Sequence, residues 1–196
     1  MRSLVFATSN EHKIYEVQSK FDYEKQNVEI IPVTQPFDPD ENGKNFLENA
    51  YIKAFEAAKI MGAPAFADDS GLCVEALGGL PGIQSARYAP TRDEKIAKLL
   101  NALKDFTDEK DRKACFNCAI SLVTPAGEEL FSTEGSCSGY IIKELHGTHG
   151  FGYDPVFYVK EYDKTFAELD IDVKNRISHR AIALNNFINF IKNNKN

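Results

Sequence analysis

Apolar positions change their spacing along the 196-residue chain, and each change predicts an element. Leu4 to Thr8 forms a short β-type run, after which Ile14, Val17 and Phe21 recur at helical spacing, so a strand passes into a helix through "TSNEHK". Val28 to Val33 predicts the next strand. The prolines and glycine of "TQPFDPDENGK" make a loop, beyond which Phe46, Leu47, Ala50, Ala54, Ala58 and Met61 mark a second helix. "APAFADD" predicts another short strand. Thr91 to Glu94, "TRDE", has the form of a capping box that opens a helix with Ile96, Leu99, Leu100 and Leu103 on its apolar face. Alternation replaces helical spacing at Ala114, Phe116, Cys118, Ile120 and Leu122. "PAG" then turns the chain, and Leu130 to Thr133 and Gly139 to Lys143 add strands of a β-meander. A last helix runs from Ser178 to Lys192, with Ser178 as N-cap and Ile177, Ala181, Leu184, Ile188 and Ile191 on one face; the asparagine- and lysine-rich tail is expected to fray.

Strands alternate with helices in the first half and follow one another in the second, which is the pattern of an α/β fold. A chain of this length that is 43% hydrophobic fits one domain over residues 1–196. No apolar run reaches the roughly 18 residues of a membrane span. The apolar stretch of "MRSLVFATSNEHK" is also too short for a signal peptide, so a cytoplasmic protein with no membrane role is expected. Cys73, Cys115, Cys118 and Cys137 make no dense disulfide framework and are expected as reduced thiols. The net charge of −6 argues against a nucleic-acid polymer as partner. A small anion is still compatible with it, because local lysines, helix N-termini and a bound cation can make one positive cleft.

Four stretches could carry chemistry. In "ATSNEHK", Ala7 to Lys13, helix-start N–H groups, the Thr8 and Ser9 hydroxyls, the Asn10 amide and the Lys13 ammonium can converge on a phosphate; a capped helix with a solvated lysine is the alternative. Asp68 and Asp69, with the loop acid Glu41, put carboxylates at the C-terminal end of a strand, where open α/β sheets bind ligands and where Mg²⁺ takes one or two carboxylates plus phosphate oxygens. Successive strand residues face opposite ways, so only Asp69 is expected to aim into the cleft; a plain polar turn is the alternative. "GTHGFGYDP", Gly147 to Pro155, carries flat rings and an acceptor suited to stacking on a heterocyclic base, or else closes the core as an aromatic loop. In "KNRISHR", Lys174 to Arg180, cations and a histidine gather at a helix start, where they oppose the macrodipole unless an anion offsets them, which favours a ligand. "CFNC" is not read as a metal or redox pair, since positions i and i+3 of a strand face opposite ways and no second Cys/His pair accompanies it.

Taken in order, "FATSNEHK", "NFLENAYIKA", "FADDSGLCVEALGGLPGIQSARY", "GFGYDPVF", "TFAEL" and "KNRISHRAIAL" resemble the inosine triphosphate pyrophosphatase family, also called the dITP/XTP pyrophosphatase family, over nearly the whole chain. The resemblance implies a long mixed central sheet with flanking helices, two lobes with the active site in the cleft between them, and a homodimer. It implies Mg²⁺-dependent hydrolysis of ITP, dITP and XTP to the monophosphate and pyrophosphate. Carried over by position, Thr8, Ser9, Asn10, Glu11, His12, Lys13 and Lys53 would hold the triphosphate. Glu41 and Asp69 would serve the metal, with Asp38 and Asp40 as neighbours of Glu41 in the same loop, and Asp69 would also be the general base. Ser70 would touch substrate, Phe151, Gly152, Tyr153 and Asp154 would contact the base, and Lys174, His179 and Arg180 would complete the pocket. Donors from His179 or Arg180 would pair with the C6 oxygen of hypoxanthine or xanthine and reject adenine. The rival readings are a related pyrophosphatase acting on modified pyrimidine or dTTP-like nucleotides, and a nucleotide-binding module without catalysis.

Overall fold

The computed structural model describes residues 2–194; the last two residues of the tail expected to fray lie outside them. A seven-stranded mixed sheet runs in the order β2-β1-β3-β4-β5-β6-β7. Its parallel part is β1 (Arg2–Phe6), β2 (Val28–Pro32) and the start of β3 (Ala65–Val74), joined through α1 (Glu11–Tyr23) and α2 (Phe46–Met61), because parallel neighbours need a crossover. From β3 onward the chain meanders antiparallel through β4 (Lys113–Val123), β5 (Glu129–Ile141), β6 (Phe157–Val159) and β7 (Lys164–Thr165). Helix α3 (Arg92–Ala102) precedes β4, while α4 (Ile171–Ile177) and α5 (His179–Asn193) end the chain.

The alanine stripe of α2 lies on Ala65, Ala67 and Val123, and these small residues bring the helix close to one face of the sheet. On the other face Val17 and Phe21 of α1 and Leu184, Phe187 and Ile188 of α5 enclose Phe6 and Phe66, whose rings stack at 4.6 Å. A third cluster joins Leu99 of α3 to Phe116, Phe157 and Phe166. The capping box at Thr91 and the Ser178 cap form as expected. The four cysteines are free thiols, and burial pushes Cys118 and Cys137 up to about 12, so neither is a ready nucleophile.

Five elements differ from the sequence pattern, among them the short strands β6 and β7, which no apolar alternation predicts. Strand β3 does not stop at the acid pair but continues to Val74, because Ser70 and Gly71 pair with Cys118 and Asn117 of β4. Strand β5 is continuous where two strands are expected: its polar middle faces solvent on one side while Gly135 and Cys137 turn inward. Helix α4 was not expected at all, since seven residues carry too little periodicity to show. Gly135 also sets the position of α5, because a Cβ there would collide with the His179 carbonyl.

Candidate active site

The cleft begins where β1 ends. Strand β1 pairs with β3 only through Val5–Ala65 and Phe6–Phe66, so Asp68 and Asp69 stand just past the last parallel neighbour, with β4 on one side and an open edge on the other. That edge corrects the expectation for the acid pair. The two carboxylates do face opposite sides of the strand, but both sides open into one cleft of about 580 Å³, which Asp68 and Asp69 both line. Gly71 permits the next step, since a side chain there would collide with the Gly82 carbonyl and the Ser85 hydroxyl. The short helical segment Gly82–Arg87 can therefore lie against β3, and the Tyr153 hydroxyl donates to the Ser85 carbonyl at 3.1 Å, tying the glycine-rich loop to it.

On the α2 side, Asp69 accepts from Lys53 Nζ at 2.8 Å and from Asn49 Nδ2 at 3.2 Å. Lys53 also lies 3.6 Å from Glu41, so carboxylates from a loop and a central strand converge on one cation. Burial works against the Lys53 charge, but Asp69, Asp68 and Glu41 outweigh it and raise the ammonium above its ordinary value. Asn49 is fully buried, and its Oδ1 accepts the Gly43 N–H at 2.8 Å, so one side chain orients both Asp69 and the loop that carries Glu41. Asp38 lines the same cleft, whereas Asp40 lies in a separate surface depression.

On the α1 and α5 side, Asp68 accepts from Lys13 at 2.8 Å, from Arg180 Nη2 at 2.9 Å and from the Ser70 hydroxyl at 2.8 Å. Burial would raise this carboxyl, but Lys13, Arg180 and Lys53 together hold it far below the usual carboxylate range. Arg180 also pairs with Glu16, and Glu16 accepts from Lys174 at 2.7 Å. Lys174 in turn lies 2.8 Å from Asp154, which accepts the Phe151 N–H at 2.8 Å. Charges therefore alternate without a break from the glycine-rich loop to β3: Asp154, Lys174, Glu16, Arg180, Asp68, Lys13.

Every lysine or arginine expected to meet phosphate thus already has a carboxylate partner. The internal acids remove the helix-dipole reason for a ligand at "KNRISHR", although Lys174, His179 and Arg180 all line the cleft. Lys174 belongs to the last turn of α4, where a cation suits the dipole, and Arg180 in α5 is offset by internal acids. Arg180 is also committed to those acids, which leaves His179 as the open donor. His179 stacks on Phe116 at 4.7 Å, its buried Nδ1 has no partner, and burial with the nearby Arg180 and Lys174 holds its pKa well below the ordinary value, so the ring is neutral.

At the start of α1, Asn10 caps the helix, with Oδ1 accepting the N–H groups of His12 at 3.0 Å and Lys13 at 3.3 Å. Thr8, Ser9, Asn10, His12 and Lys13 line the cleft. Glu11 does not; it is exposed in the first turn of α1, where a carboxylate suits the positive end of the helix and would repel phosphate. Ser70, Phe151, Gly152, Tyr153 and Asp154 also line the cleft, although the Tyr153 hydroxyl and the Asp154 carboxylate are engaged within the protein. Glu16 and Asn49 are not among the site residues expected from the sequence. Asn49 carried a signal, a polar residue four before Lys53 beside the alanine stripe of α2; Glu16 lies next to Val17 with nothing local to mark it.

The architecture is that of an α/β protein with an acid-and-cation cleft at the ends of its parallel strands. The chain belongs to the Ham1 family, whose model matches residues 4–190. A protein of Desulfotalea psychrophila named dITP/XTP pyrophosphatase is 47% identical over 185 residues, covering 92% of this chain and 81% of that one. Among solved structures, a HAM1 protein from Coxiella burnetii is 41% identical with a TM-score of 0.87, covering 98% of this chain and all of that one. The Staphylococcus aureus Ham1 protein is 40% identical with a TM-score of 0.85, covering 99% and 100%.

Proposed function

We propose that the protein hydrolyses noncanonical purine nucleoside triphosphates, ITP, dITP and XTP, to the nucleoside monophosphate and pyrophosphate with Mg²⁺. The observation that carries this reading is the meeting of Glu41 and Asp69 at Lys53, in the cleft that Lys13 and Phe151 also line. The name of the relatives, dITP/XTP pyrophosphatase, points to two of these substrates. Glu41 and Asp69 would hold the metal: two hard oxygen donors that already share one cation suit Mg²⁺, which takes its remaining ligands from water and substrate phosphate. Among the described residues no three His, Cys, Asp or Glu side chains form a metal cage of their own. When bound, Mg²⁺ would neutralise phosphate charge and make the attacking water more acidic.

The chain's own groups supply the rest. The carboxylate of Asp69 takes the proton from the attacking water. Lys13 and Lys53, held in place by acids before substrate arrives, turn toward phosphate oxygens, so little reorganisation is left for the reaction itself. The start of α1 gives the phosphates a positive helix end. Phe151 stacks on the base, and the neutral His179 donates to the C6 oxygen of hypoxanthine or xanthine, a position where adenine presents a second donor. We further read the active assembly as a homodimer in the cytosol; light scattering checks the first point and should give about twice the 21.9 kDa chain mass.

The test is a panel of ITP, dITP, XTP, ATP, GTP and dTTP with and without EDTA, with pyrophosphate and orthophosphate assayed separately. Pyrophosphate from the inosine and xanthosine nucleotides, lost with EDTA, is the expected result. Orthophosphate as first product, or preferred turnover of dTTP, would overturn the assignment. Lys13→Ala and Lys53→Ala should each raise KM for ITP by roughly tenfold to a hundredfold, the worth of a charged hydrogen bond. Unchanged kinetics in either variant would remove that lysine from the phosphate site.

A further inference from the structure

Phosphate binding leaves one feature at the start of α1 unused. The exposed His12 imidazole lies on the ring of Phe151, with centroids 5.4 Å apart and planes 15° from parallel. His12 and Lys13 are neighbours on a helix and so point about 100° apart. Lys13 reaches the Asp68 carboxylate at 2.8 Å, while His12 turns to the aromatic side of the same cleft. The two rings differ in how firmly they are held. Phe151 is anchored by its N–H to Asp154, which Lys174 holds in turn, and its ring lies 5.3 Å from Lys174 Nζ and 5.7 Å from the Arg180 guanidinium. The His12 side chain has the Phe151 ring as its aromatic contact and faces solvent otherwise, and exposed side chains change rotamer within nanoseconds.

From this geometry we infer that His12 recognises the base and does not bind phosphate: its imidazole and the Phe151 ring are the two jaws of a clamp for the purine. The inference rests on the reading of the cleft as a nucleotide pocket. Stacked rings need centroid separations of roughly 4.5–7 Å, so at 5.4 Å no base fits between the pair as it stands. The anchored Phe151 stays in place, the mobile His12 yields its position to the purine, and the imidazole then closes on the purine's outer face. The contact it makes with Phe151 in the free protein covers an apolar ring that would otherwise meet water.

The test titrates IMP into the full-length wild type, His12→Ala and His12→Phe by calorimetry, and measures steady-state kinetics with ITP. Removing one stacking partner should weaken IMP binding about tenfold in His12→Ala and place the catalytic loss in KM. His12→Phe keeps a flat ring without a nitrogen and should return both values to within about twofold of wild type. Unchanged IMP binding in His12→Ala, or a His12→Phe variant as weak as His12→Ala, overturns the clamp, as does a wild type that does not bind IMP. A wild type that binds IMP yet releases no pyrophosphate from ITP sinks the pyrophosphatase reading alone, and the IMP titrations still decide the clamp.

Discussion

Asp69→Asn is expected to lower kcat for ITP by a factor of about 10²–10⁴, the usual contribution of a positioned general base, while nucleotide binding survives in part. The substitution keeps the shape of the side chain and removes its ability to take a proton. It also has a structural consequence that can be worked out from the neighbours. Asp69 offers one oxygen to Lys53 and the other to Asn49, both donors, whereas an asparagine has only one oxygen. If that oxygen stays on Lys53, the new NH₂ faces the NH₂ of Asn49. Asn49 cannot turn over without giving up the Gly43 N–H, and so loosening the loop that carries Glu41. Binding of IMP and thermal unfolding measured beside kcat separate the loss of the base from any such loosening. Turnover near the wild-type rate would take Asp69 out of the mechanism.

Glu16→Ala should give the largest loss of stability. Glu16 is buried between Lys174 and Arg180, and removing a buried acid leaves its cations under-compensated, at a cost of about 3 kcal/mol. For a chain of this size that corresponds to a fall in Tm of roughly 6–12 °C. Glu16→Gln keeps the size and some of the hydrogen bonds, and so isolates the charge. Burial works against the Glu16 charge, but Arg180 and Lys174 outweigh it, so its pKa is lowered in the folded protein. A lowered carboxyl contributes stability above the unfolded carboxylate range, and that contribution is lost as pH falls through the folded value. The stability gap between wild type and Glu16→Gln should therefore be widest near neutral pH and shrink on acidification. A gap that does not change with pH would show that the charge of Glu16 is not what holds the network.

These two residues show where sequence reading reached and where it stopped. Asp69 is legible because it follows an apolar run inside an ordered series of motifs, although β3 itself continues past it to Val74. Asp68 was expected to turn away from the cleft, an inference that holds for a strand with neighbours on both sides; β3 has lost its β1 neighbour by that point. The motif "TSNEHK" places Glu11 beside Lys13 in sequence, but on a helix neighbouring residues point different ways, and Glu11 is exposed outside the cleft. Glu16 went unseen because its partners lie far along the chain, in α4 and α5.

By itself the amino-acid sequence determined the helices α2, α3 and α5, the alternation of β4, the capping of α3 and α5, and the family, since periodicity, caps and motif order are properties of neighbouring residues. Only the tertiary structure decided that both aspartates share one cleft, that Lys13, Lys53, Lys174 and Arg180 each already have an acid, and that His12 lies against Phe151. Those facts depend on which distant segments the sheet brings together, and the energy of a buried charge or a stacked ring is set by what surrounds it in space.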